Sequence, residues 1–283
     1  MVKALLAVLL LAPFDVRYDG VPEEARAAFD EAASVWSACL AGDVPIKARV
    51  TWIARGPTGF AYPRLVAGET ADGEAVWVPA ALAHARAGTR LGDGIDFHVF
   101  LQGGEDRYYG PAGGIAEGQT DFVNVSIHEI AHGLGVATGT FVPWEDDGDG
   151  TRKASSGLPN AYTDYFDFGF AMPELDGTPF LYDTFLRLAD GRRVTDFENP
   201  SAALAHALSN PTVHFVGENA VAANAGYPVG VTPGNVSHVP AFPGRPTPIM
   251  LSNSGRGETV RRLDPILLGM MRDPVWAIEP ACL

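Results

Sequence analysis

Three observations predict an α+β fold, with a mixed, twisted sheet backed by helices in the first half and a loop-rich second half. Strand-like and helix-like periodicities alternate as far as Gly135. Beyond that point long periodic segments become scarce. The composition fits this division: 47% of the 283 residues are hydrophobic, enough for a core, while 32 Gly and 22 Pro imply short elements and many turns.

The elements can be read in order. Phe14–Tyr18 alternates as a short strand. Pro22–Leu40 carries Ala25, Phe29, Ala32, Ala33, Trp36 and Leu40 at helical spacing, and Pro22-Glu23-Glu24 makes a favourable first turn. Val44–Ala54 reads as a strand through Ile46, Val50, Trp52 and Ile53. Ala75–Val78 is a strand and Pro79–Ala87 a short helix. Ile95–Leu101 alternates cleanly and reads as a strand. The glycine-rich stretch Gly103–Gly118 is a loop leading to a helix that Asp121 caps and Gly133 and Gly135 close.

In the second half, Pro179–Leu188 and Ser201–Leu208 read as short helices, with Thr178 placed to cap the first. Pro211–Pro248 is loop-rich with scattered strands, and Pro265–Arg272 is a final helix. No internal repeat or long linker divides the chain. Residues 13–283 therefore read as one domain, with an N-terminal lobe 13–137, a C-terminal lobe 138–283 and a cleft between them.

Residues 1–12 read as a secretory signal: Lys3 precedes an apolar run, Ala4–Ala12, too short to span a bilayer. Leu10 is a poor match at the third position before a cut after Ala12. The competing reading is a buried first strand. Export would let Cys39 and Cys282 pair across a very long loop; the alternative is two unrelated thiols. The formal net charge of −14 argues against nucleic acid or an anionic membrane as partner.

The chemistry is concentrated in His128-Glu129-Ile130-Ala131-His132. On a helix, residues four apart share a face, so His128 and His132 can direct imidazole nitrogens at one ion. Glu129 lies beside them, where it could act on an activated water. The bland reading is a buried helix with two ordinarily hydrogen-bonded histidines. A catalytic zinc needs a third protein ligand, and Thr138 stands three residues after Gly135, where a compact site would carry His. The remaining candidates are His206, His214, His238, Glu174 and Glu218. The acidic run Glu145–Gly150 has the oxygen donors that Ca2+ takes, although a solvated loop explains it more simply.

Three segments together resemble the leishmanolysin-type metzincins, a family of zinc peptidases. They are His128-Glu129-Ile130-Ala131-His132-Gly133-Leu134-Gly135, Val236-Ser237-His238 and Pro248-Ile249-Met250. In that family a long insertion separates the helix motif from a third histidine, and a methionine turn follows. Asp264–Met270 resembles the family's closing helix, so the likeness spans about residues 95–275. The resemblance implies a secreted zinc endopeptidase acting on protein or peptide. His128, His132 and His238 would be the zinc ligands, Glu129 the general base and Met250 the apolar floor. It also implies a strand along the cleft that pairs with extended substrate, for which Ile95–Leu101 is the candidate. Ser252 stands where some metzincins carry a tyrosine. Two alternatives remain: a non-catalytic binding protein on a zinc-stabilised scaffold, and a thermolysin-like peptidase with a Glu third ligand.

Overall fold

A computed structural model describes residues 12–140, 142, 177–252 and 255–283. The apolar run before Ala12, the acidic run Glu145–Gly150 and Glu174 lie outside the described residues. The architecture is α+β.

Strand β1 (Phe14–Asp19), helix α1 (Glu23–Ser37) and strand β2 (Ile46–Trp52) open the chain. Next come β3 (Gly59–Pro63), the hairpin β4 (Leu65–Glu69) and β5 (Ala75–Pro79), helix α2 (Ala80–Ala87) and β6 (Phe97–Leu101). The four-stranded sheet runs β1-β2-β6-β3. β1, β2 and β6 are parallel, and β3 closes one edge antiparallel to β6. Its inner face, with Ala48, Val50, Phe97, Val99 and Leu101, is buried under α1 and α3 (Phe122–Leu134). On α1 the buried residues Ala25, Ala28, Phe29, Ala32, Ala33 and Trp36 follow the helical period.

Two strands lie where no element was read, Gly59–Pro63 and Leu65–Glu69. Pro63 hides the first, because proline is a poor central-strand residue. The register explains its tolerance. Gln102 N donates to Thr58 O and Arg64 N to Asp96 O, so residues 58, 60, 62 and 64 face β6. Gly59, Ala61 and Pro63 therefore turn their backbone groups outward, where proline's missing N–H breaks no ladder. β6 is thus an interior strand with neighbours on both sides. Ile95–Leu101 cannot be the strand along an open edge; among the described residues β3 holds that position.

Short pairs β7 (Arg107–Tyr108) and β8 (Thr120–Asp121) lead into α3. Past residue 177 the elements are short. Leu181–Phe185 is a 3-10 turn running into β9 (Leu186–Leu188), not the helix expected over Pro179–Leu188. Aromatic and Thr side chains are weak helix formers, and the Asp183 carboxylate accepts from Phe180 N at 3.1 Å, closing a tight turn. The turn starts after Phe180, so Thr178 does not cap it. β9 pairs with β10 (Val213–Phe215), which pairs with β11 (Val229–Gly230). Helices α4 (Ala202–Leu208), α5 (Glu218–Ala223) and α6 (Pro265–Arg272) complete the chain. Ser201 caps α4 and Asp264 caps α6.

Cys39 and Cys282 form a disulfide with Cα atoms 5.7 Å apart. Bridge Leu40–Ile278 and the bonds Ala41 N to Ala277 O and Glu279 N to Cys39 O bind the same two segments. Among the described residues no helix is long and apolar enough to cross a membrane.

Candidate metal centre

α3 is buried along its whole length. Asp121 begins it by accepting from Val123 N at 3.0 Å. The Arg261 guanidinium closes on the other lone pairs of that carboxylate at 2.8 and 3.0 Å, so a buried charge is paired rather than stranded. The helix ends at Gly135, whose φ of 120° lies outside the range that side-chain-bearing residues adopt readily.

This frame holds His128 and His132 one turn apart on one face. Each ring's Nδ1 meets a backbone carbonyl: His128 with Ile249 O at 2.7 Å and His132 with Val136 O at 2.6 Å. A carbonyl only accepts, so each Nδ1 carries the proton and each Nε2 presents a lone pair. The two Nε2 atoms are 3.0 Å apart.

His238 completes the triangle from 106 residues further on, its Nε2 lying 3.2 Å from that of His128 and 3.3 Å from that of His132. The loop carrying it is tightly wound. Thr232 N donates to His238 O, His238 N to Asn235 O, and Val239 N to Met250 O at 2.8 Å. Tyr182 Oη donates to Val236 O at 2.9 Å. Met250 itself is buried.

The donor set fits a metal ion. Tetrahedral coordination at about 2.0–2.1 Å per nitrogen places ligand nitrogens about 3.3–3.4 Å apart, close to the observed edges. A proton on one ring could satisfy one edge of the triangle, whereas a cation satisfies all three lone pairs. Burial lowers the pKa of His128 and takes that of His132 well below the usual range, with His128 and His238 adding to the effect. His238 is pushed down to about 3, chiefly by burial. The rings are thus neutral donors at neutral pH. Three imidazoles suit zinc and equally other first-row ions.

Glu129 faces the edge strand. A Cβ on Gly59 would overlap its carboxylate, so glycine there lets the side chain lie against the β3 backbone. Oε2 is buried without a hydrogen-bond partner, and burial raises the carboxyl pKa to about 8. An unpartnered buried carboxyl is costly, and such groups concentrate at reactive sites.

The other proposed ligands lie elsewhere. His206 is exposed on α4, and Glu218 is exposed at the start of α5. His214 sits in β10 with Nδ1 at 3.0 Å from Thr212 O. Thr138 turns away from the triangle and donates to Asp183 Oδ1 at 2.6 Å. The sequence reading missed Gly59, Asp183 and the backbone carbonyls of Ile249 and Val136. Only the small residue between Thr58 and Phe60 could have pointed to Gly59.

Fold and site together define an α+β protein with a candidate three-histidine metal centre and a buried carboxyl on the residue that follows the first histidine. No protein-family model, curated protein or solved structure matches the chain.

Proposed function

We propose that this protein is a zinc-dependent endopeptidase of metzincin type. The observation that carries this reading is the convergence of three imidazole lone pairs, two of them from a helix on which the residue after His128, Glu129, is a buried carboxyl that touches an edge strand. When bound, zinc supplies Lewis-acid activation of a water and of the scissile carbonyl.

The chain's own groups supply the rest. His128, His132 and His238 hold the ion through Nε2. Glu129, unpartnered at Oε2, takes the proton from the attacking water in its carboxylate form, which a bound cation nearby would favour over the acid form that burial alone promotes, and delivers it to the leaving nitrogen. The outward backbone groups of Gly59 and Ala61 offer pairing positions for an extended peptide, so β3 takes the substrate-aligning role expected of Ile95–Leu101. Gly59 thus brings peptide and base together. The Cys39–Cys282 disulfide favours an oxidising compartment, in keeping with export.

The test is hydrolysis of a generic unfolded protein and a mixed peptide library, with and without chelator. Cleavage should vanish on chelation and return with one equivalent of Zn2+. Intact substrate in the presence of bound zinc would overturn the peptidase reading and leave a zinc-stabilised binding scaffold.

A further inference from the structure

The Ile249–Met250 segment touches both sources of metal ligands. Ile249 O accepts from His128 Nδ1 at 2.7 Å. One residue on, Met250 O accepts from Val239 N, the amide next to His238, at 2.8 Å. The two bonds lie on consecutive peptide units, so a tilt of this segment moves the helix ligand and the loop ligand together. Apolar packing of Ile249 and Met250, both buried, does not determine such a tilt. A directed hydrogen bond does.

That bond comes from α6. Ile249 N donates to Asp264 Oδ2 at 3.0 Å, while Asp264 Oδ1 accepts from Leu267 N at 2.9 Å to cap the helix. Pro265 opens the helix at its first position, so the residue before it is held extended. Asp264 therefore sits on a stiff mount. One oxygen faces its helix and the other faces the segment that orients His128. The Ile249 N–H belongs to the Pro248–Ile249 peptide, so the carboxylate fixes the unit directly preceding the carbonyl that meets the imidazole N–H.

We propose that Asp264 is a positioning residue of the metal centre, setting the orientation of His128 and His238 through the Ile249–Met250 peptides and thereby the affinity for the ion. This rests on the reading of His128, His132 and His238 as metal ligands. Groups that orient ligands in this way typically change metal affinity about 10–100-fold when lost.

The test separates the clamp from the cap. Asp264→Ser keeps an oxygen that can cap α6 but is too short to serve Ile249 N as well. Ser201→Ala removes the cap of α4, whose side chain bonds Leu204 N and no residue of the site, and controls for loss of a cap in general. Zn2+ affinity is measured by competition with a chromophoric chelator, and the Co2+ form is compared by its visible absorption. Wild type should bind one equivalent, and Asp264→Ser about 10–100-fold more weakly with an altered Co2+ spectrum. Ser201→Ala should match wild type in both. Asp264→Asn, whose amide cannot accept at both positions, provides a second variant should the serine form misfold. Wild-type affinity and spectrum in a folded Asp264→Ser or Asp264→Asn protein would overturn the proposal. Failure of wild type to bind Zn2+ would overturn the ligand reading beneath it, a distinguishable result.

Discussion

Glu129 and Gly59 form the contact on which the proposed chemistry turns. Glu129→Gln keeps the shape and removes the proton acceptor, so zinc content should stay at one equivalent while hydrolysis falls about 100–10,000-fold. Metal analysis beside an initial-rate assay checks both. Gly59→Ala adds a methyl where the carboxylate lies. It should lower kcat more than it raises KM and leave zinc bound, and unchanged kcat would remove Gly59 from the site. His238→Ala should cut zinc occupancy sharply, whereas His206→Ala, at an exposed position of α4, should leave it unchanged. His128, Glu129 and His132 were legible because i, i+1 and i+4 on a helix is a local pattern. Gly59 was not, because its role exists only where a strand meets a helix seventy residues on.

At the scale of elements, the decisive segment is the chain leaving α3. Asp183, on the 3-10 turn, accepts from Thr138 Oγ1, Gly139 N and Phe180 N at 2.6, 3.0 and 3.1 Å. It thereby anchors the exit of the helix that carries His128 and His132. Asp183→Ala strands these donors and should destabilise the protein by about 2–3 kcal/mol, read from denaturant unfolding. Burial raises the Asp183 pKa to about 6 from 3.8, against the pull of its three donors. A carboxyl raised on folding binds its proton more tightly in the folded state. Its contribution is therefore fully present below pH 3.8 and is lost as pH rises through about 6. The stability difference between wild type and Asp183→Ala should shrink over that window, and a flat difference would place the charged form there throughout. Periodicity and end signals revealed α1, α2, α3, α4, α6, β1, β2, β5 and β6, although α3 and β6 prove buried on every side. It missed β3 and β4, and it read helix where Leu181–Leu188 makes a turn and a strand. There the structure follows from Asp183 and from pairing with β10, which no window of neighbouring residues contains.

At the scale of the molecule, the disulfide and the histidine triangle are two of the links between distant parts of the chain. The disulfide spans 243 positions, and the histidine triangle joins α3 to the loop at His238. Replacing Cys39 and Cys282 with Ser should cost about 2–5 kcal/mol, because the unfolded chain regains the freedom of a long loop. Chelation should lower the thermal transition of wild type and not that of His238→Ala, since an ion bound only in the folded state stabilises it by mass action. The sequence by itself determined the local quantities: the α+β alternation, the two-histidine face of α3, the cap at Asp121, and the candidacy of His238. The tertiary structure decided which strand forms the sheet edge, that Cys39 meets Cys282, and that His238 rather than His206, His214 or Glu218 meets the α3 pair. The physical reason is range: periodicity and capping act over one or two turns, whereas edge position, cross-links and ligand convergence depend on backbone pairing between segments far apart in the chain.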